Sequence, residues 1–168
     1  MLKIRKGKKE DLACILELIK ELAQYEHAIE HVSITLSELE KDGFGLHKYY
    51  HFLVAEKENK IIGMSFYWIR YSTWKGKFLF LEDFIVKKNH RRRGVGTALF
   101  NATIKVCQEE RLNGMCWQVL DWNQPAIKFY KKYSAHISDE WLNGKLTNWV
   151  LSNLPFNHSL LILALYFL

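Results

Sequence analysis

Two adjacent carboxylates, Glu82 and Asp83, sit in a strand-like apolar run, and a basic glycine turn follows them: Arg91, Arg92, Arg93, Gly94, Val95, Gly96 and Thr97. Gly94 and Gly96 let a backbone approach a ligand closely, and a helix starting there offers unpaired N–H groups to a phosphate or pyrophosphate. The three arginines add charge of the right sign. A solvated strand-to-helix connection is the plainer reading of such a turn, and dinucleotide binding is the weaker one because G-x-G-x-x-G is absent. Strand alternation places Phe78, Phe80, Glu82, Phe84 and Val86 on one face and Leu79, Leu81, Asp83 and Ile85 on the other, so each carboxylate interrupts an apolar face. Simple exposure accounts for an acid pair at a strand end. A partly desolvated carboxylate would instead attract a cation and accept a proton.

The rest of the chain reads as the scaffold for these groups. Leu2 and Ile4 alternate with Lys3 and Arg5 as a short strand does, and Leu12, Ile15, Leu16, Ile19 and Leu22 recur at helical spacing. Thr35 and Glu38 form a capping box that opens a second helix, and Asp42, Gly43 and Gly45 end it. Residues 51–56 and 61–69, β-branched and aromatic around a polar 57–60, predict a hairpin. A strand over 77–86, a basic loop over 87–93, a helix over 96–110 and a strand over 115–120 follow. Asn123 is placed to cap a helix that starts near Pro125 and runs through Ile127 to Tyr133. Residues 135–137 and 141–146 predict closing strands. This order describes a mixed α/β fold, with a largely antiparallel central sheet flanked by helices and a β-α-β crossover in its second half.

A chain of 168 residues with 49% hydrophobic and 25% charged residues has the makings of one core and lacks the composition of disorder. Its net charge of +6 suits an anionic partner, without choosing between a phosphorylated cofactor and nucleic acid. Cys14, Cys107 and Cys116 show no paired or metal spacing, so buried thiols in a reducing, cytoplasmic compartment are expected, with no metal. No secretory signal is expected, since the basic start runs into an amphipathic helix. Residues 146–168 carry no Lys, Arg, Asp or Glu and form an atypical apolar tail to a domain spanning 1–145. Its run from Leu160 to Leu168 is about half the ~20 residues that span a bilayer, so no membrane partner is expected.

R-x-x-G-x-G after a strand is similar to the acetyl-CoA signature of the GNAT acetyltransferase superfamily, and Arg91, Gly94 and Gly96 match it. The likeness covers most of residues 1–142. Glu21-Leu22-Ala23, Tyr25-Glu26, Asp42-Gly43-Phe44-Gly45, Tyr50-His51, Leu53-Val54-Ala55-Glu56, Leu81-Glu82-Asp83 and Trp122-Asn123 resemble the diamine (spermidine/spermine) acetyltransferases and their relatives, the thialysine acetyltransferases. Tyr71-Ser72-Thr73-Trp74-Lys75-Gly76 and Val119-Leu120-Asp121-Trp122-Asn123-Gln124 look more like the thialysine branch.

That resemblance implies an acetyl-CoA-dependent N-acetyltransferase acting on a small cationic amine, with a lysine-like thioether amine preferred to a polyamine. An alkylamine of pKa near ~10.4 must lose a proton before it attacks. Glu82 matches the family's candidate base, and Tyr130 matches a tyrosine that protonates the departing thiolate. Tyr130 also reads as a packed aromatic on an amphipathic helix. Phe84, Ile85 and Val86 match the segment along the pantetheine arm, and residues 91–97 match the pyrophosphate turn. Asn123, Gln124, Pro125 and Ala126 match a further contact with the cofactor. Tyr25, Glu26, Glu82 and Asp83 match residues lining the amine pocket. A homodimer is implied, and no nucleic-acid partner.

Three departures from that pattern carry expectations of their own. Ser72-Thr73 replaces an Asp-Pro pair, removing an acid suited to a second ammonium. Ser134 replaces a glycine at the end of a helix, where a left-handed residue with a Cβ is strained. The uncharged tail replaces a charged terminal region. Two other classes compete with the enzyme: an anionic-surface module built on Lys87, Lys88 and residues 90–93, and a silent acyl-CoA binder, against which the intact Glu82 and Tyr130 argue. Acetylation of protein lysines is the nearest rival within enzymes.

Overall fold

Leu12, Ile15 and Leu18 form one stripe of α1 (Leu12–Tyr25) and are almost completely buried in the computed structural model of the protein, which describes residues 1–154. Truncating one such side chain to alanine costs about 2–5 kcal/mol. Thr35 and Glu38 form the reciprocal cap that opens α2 (Leu36–Phe44), as the spacing predicts. Both helices cover one face of a five-stranded sheet, packing on Phe52, Val54, Met64, Phe66 and Ile85.

The sheet runs in chain order: β1 (Leu2–Lys6), β2 (His51–Lys57), β3 (Lys60–Ser72), β4 (Gly76–Val86) and β5 (Met115–Trp117). Neighbours are antiparallel except β4 and β5, which are parallel. The hairpin joining β2 and β3 turns on Glu58 and Asn59, both at positive φ (52° and 58°), the primed geometry that follows the twist of the strands. α3 (Val95–Glu109) crosses over between the two parallel strands and covers the second face. There Thr103 and Ser65 share a buried 2.7 Å hydrogen bond, and Phe100 meets Phe84 edge-on at 5.6 Å.

One irregularity reassigns the faces of β4. Phe66 pairs with Asp83 and Tyr67 with Leu81, so Glu82 is an extra residue in a β-bulge. Before the bulge Phe78 and Phe80 share the face of Arg70 and Trp68, while Leu79 and Leu81 are buried on the α3 face. After it, Asp83 and Ile85 take the face of Phe66 and Met64, and Phe84 and Val86 take the α3 face. The uninterrupted alternation expected from sequence therefore holds only on each side of Glu82.

The chain divides into two compact units between Leu120 and Asp121. Asn123 caps α4 (Gln124–Lys131), its side-chain oxygen accepting from the Ala126 amide at 3.3 Å. The helix stops two residues before Tyr133, and Ser134 has φ 58°, the left-handed conformation that disfavours a residue with a Cβ. The expected strands at 135–137 and 141–146 do not form, and β5 ends at Trp117 rather than 120. The first of these segments has too short an alternation, and the second is broken by Asn143-Gly144 and leaves Trp141 and Leu142 exposed. Thr147 caps a short α5 (Asn148–Asn153). The apolar run from Leu160 to Leu168 lies outside the described residues.

Among the described residues no helix is long and apolar enough to cross a membrane. The cysteines are free, but only Cys107 is buried: Cys116 is partly covered, and Cys14 falls on the exposed side of α1, off the Leu12–Ile15–Leu18 stripe.

Candidate active site

Past Val86 the chain runs through a short 3₁₀ helix (Lys88–His90) and a turn, and enters α3 at Gly94, whose φ of 77° is left-handed and whose added Cβ would meet nothing within 4 Å. No side chain caps this helix. The first amides of α3, from Val95, Gly96 and Thr97, thus have no acceptor within the helix and carry its positive dipole end. A Cβ on Gly96 would make only ordinary contact with Val86, at 3.8 Å, so the fold itself tolerates alanine there.

The three arginines separate into two kinds. Arg91 Nε donates to the Val86 carbonyl at 2.7 Å, and its guanidinium lies 5.4 Å from the centre of the Tyr25 ring. Arg91 therefore ties the end of β4 to the end of α1. All three are exposed, and Arg92 is itself at φ 59°.

Beside this turn the sheet opens. The β4–β5 ladder stops at Leu81–Trp117, one residue before the bulge. Lys87 donates to the Ile62 carbonyl, which makes the odd-numbered residues of this stretch the hydrogen-bonded partners of β3. The backbone groups of Phe84 and Val86 consequently face the other way, toward the edge that β5 does not pair among the described residues.

On the α1 face, the bulge and the end of α1 bring three acids together. Trp68 Nε1 donates to Glu82 Oε2 at 2.9 Å, drawing the Glu82 side chain to the face that Asp83 occupies. Asp83 is half-buried, and its carboxyl is pushed up to about 7 by burial first, then by the charges of Glu82 and Glu26. Glu26, just past the end of α1, is also raised by burial. The desolvated carboxylate is thus Asp83, whereas Glu82 is exposed. The negative end of the α1 dipole adds to the same potential. Such a site attracts a cation and can take its proton.

The sequence profile of the acetyltransferase (GNAT) family matches residues 14–134, which include most of α1, the bulge, the glycine turn and α4. The chain belongs to this family. It is similar to the thialysine N-epsilon-acetyltransferase of Bos taurus, 37% identical over 140 residues that cover 79% of this chain and 82% of the relative. It is also similar to the spermidine/spermine N(1)-acetyltransferase-like protein 1 of Homo sapiens, 32% identical over 79% of this chain and 20% of that longer protein. An integron cassette protein from the mobile metagenome of V. cholerae has the same fold, with a TM-score of 0.74 at 19% identity, covering 93% of this chain and 98% of the other.

Within this GNAT acetyltransferase, the first unit brings Tyr25, Glu26, Glu82, Asp83 and Arg91 together near the end of β4, which Phe84, Ile85 and Val86 form and Arg92 to Thr97 continue. Asn123, Gln124, Pro125 and Ala126 start α4 in the second unit. Tyr130 is buried on the same helix, with Phe129 5.5 Å away. Sequence reasoning missed Trp68 and Arg70. Trp68 would have been reached by pairing the two predicted strands, but only with the bulge in place does it meet Glu82.

Proposed function

We propose that this N-acetyltransferase transfers the acetyl group of acetyl-CoA to the side-chain amine of a small lysine-like thioether substrate. The observation that carries this reading is the acidic cluster of Glu26, Glu82 and Asp83 beside a strand edge and an uncapped helix start. In this reading the backbone amides of Val95, Gly96 and Thr97, with Arg92 and Arg93, hold the pyrophosphate, and the turned-out backbone of Phe84 and Val86 meets the pantetheine arm. Asn123, Gln124, Pro125 and Ala126 supply the remaining cofactor contacts. Glu82 takes the ammonium proton, directly or through water, and the free amine attacks the thioester carbonyl. As the C–N bond forms and the C–S bond breaks, Tyr130 protonates the leaving thiolate, and the acetylated nitrogen gives up its remaining extra proton to solvent, from which the phenolate is reprotonated. Tyr25 and Glu26 line the amine site. A cytoplasmic homodimer completes the reading, carried over with the family resemblance.

The substrate preference is supported by the likeness to the thialysine enzymes and by Ser72-Thr73, which brings no acid for a second ammonium. The test is acetylation of an amine panel followed by mass spectrometry, comparing the thioether amino acid S-(2-aminoethyl)cysteine, spermidine and a lysine peptide. The thioether amine should show the highest kcat/KM, and a higher value for spermidine would overturn the preference. Glu82→Gln should lower the rate by roughly 10²–10⁴, with partial recovery at high pH as free amine accumulates. Retained activity in that variant would remove Glu82 from the reaction.

A further inference from the structure

The α1 face of β3 and β4 continues past the acids toward the β3–β4 turn, and its order of side chains is chemically directional. Arg70 follows Trp68 on the same face, two residues along β3, a rise of about 6.6 Å. Trp68 and Phe80 pack with ring centres 5.2 Å apart, and the Arg70 guanidinium lies 6.0 Å from the centre of the Phe80 ring. Its Nη1 reaches Cys116 Sγ at 4.0 Å. Arg70 is exposed, and among the described residues no carboxylate stands within ion-pair distance of it. The strip therefore runs from carboxylates at Glu82 and Asp83, over an aromatic wall, to a lone guanidinium.

We propose that Arg70 is a specificity-determining residue that binds the carboxylate of an amino-acid substrate while its side-chain amine lies at Glu82. This rests on the reading of Glu82 as the carboxylate that receives the amine. A short aliphatic or thioether side chain spans the aromatic wall, and the planar guanidinium fork matches a carboxylate in geometry as well as charge. A diamine of the same length would set its second ammonium against Arg70. The next residue on this face, Ser72, offers no compensating charge, and its hydroxyl already accepts from the amides of Trp74 and Lys75 at 3.3 and 3.2 Å. Discrimination between amino acid and polyamine is then built into β3 by attraction of one and repulsion of the other.

The test compares S-(2-aminoethyl)cysteine with its carboxamide, which has the same length and amine but no carboxylate. Arg70→Gln should lower kcat/KM for the amino acid about tenfold, chiefly through KM, and leave the carboxamide within about twofold. Arg70→Glu should go further and raise kcat/KM for spermidine. Unchanged melting temperature and acetyl-CoA affinity establish that both variants are folded. Equal effects of Arg70→Gln on the two substrates, or none on either, would overturn the proposal, as would a wild-type enzyme indifferent to the carboxylate. Glu82→Gln, run on the same pair, separates the two levels: if it leaves both reactions intact, the placement of the amine fails and this assignment with it. If it abolishes both and Arg70→Gln discriminates nothing, only the role of Arg70 fails.

Discussion

The indole N–H of Trp68 donates to Glu82 Oε2 at 2.9 Å, across a bulge in which Glu82 is the unpaired residue. The bond fixes one carboxylate oxygen and leaves the other for an amine or water. Trp68→Phe keeps the ring against Phe80 and removes only the donor. An exposed hydrogen bond contributes on the order of 1 kcal/mol, so kcat/KM should fall about fivefold with little change in acetyl-CoA affinity. In the Glu82→Gln background the same change should cost almost nothing. A full fivefold loss in the double variant would show that Trp68 acts by packing and not through Glu82.

Gly96 separates folding from ligand binding. Its Cβ position is open apart from ordinary contact with Val86, and alanine favours a helix over glycine by about 0.5–1 kcal/mol. Gly96→Ala should therefore melt at the same temperature or higher, yet bind acetyl-CoA more weakly, because a methyl group would stand where the cofactor's phosphates approach the helix start. Calorimetry that found wild-type affinity in this variant would place the pyrophosphate elsewhere.

Ser134 follows α4 in a left-handed conformation at φ 58°. A Cβ there costs roughly 1–2 kcal/mol, part of which glycine gives back through its freer unfolded chain. Ser134→Gly should raise the melting temperature by about 2–4 °C. A lower melting temperature would mean that a contact of the serine outweighs the backbone strain.

Tyr130 is buried on α4, and its proposed role needs only its hydroxyl. Tyr130→Phe should lower kcat by roughly 10²–10⁴ while leaving acetyl-CoA affinity nearly intact, and raising the pH should not restore it. Wild-type kcat, with chemistry shown to be rate-limiting, would reduce Tyr130 to a packing residue.

Much of this arrangement is legible in local sequence, because its causes are local. The Thr35–Glu38 capping box, the Asn123 cap and the left-handed Ser134 each depend on a few neighbouring residues, and each is found as read. The glycine turn is legible too, since strand, Gly94 and helix start adjoin in the chain. The bulge at Glu82 is not, because it is a mismatch between the registers of two strands that no single strand reveals. For the same reason strand alternation alone puts Phe84 and Val86 on the face of Phe78 and does not tell which of Glu82 and Asp83 is desolvated. Arg91 looks like its two neighbours in sequence, but it contacts the Val86 carbonyl and the ring of Tyr25, a partner 66 positions away from it. The segments at 135–137 and 141–146 have strand-like residues, but the first alternates too briefly and the second is interrupted by Asn143-Gly144.

Asp83 gives the acidic cluster a measurable pH signature. Its carboxyl rises from 3.8 to about 7 on folding, through burial first and then the negative charges of Glu82 and Glu26. The folded state thus holds this proton more tightly than the unfolded chain does. Below about pH 4 the group is protonated in both states and costs nothing. Between pH 4 and 7 the unfolded chain ionises while the folded protein does not, so the contribution of this group to stability falls steadily, and above about pH 7 the penalty is complete and constant. Asp83→Asn removes the titration but keeps the shape. The variant should melt with the wild type near pH 4, diverge upward as the pH rises, and exceed it by about 3 °C or more at pH 8. At the same time its kcat/KM for a cationic amine should drop, since one of three attracting charges is gone. A stability gain that is equal at pH 4 and pH 8 would mean that the asparagine acts by packing, and that Asp83 is not the carboxylate whose ionisation the site resists.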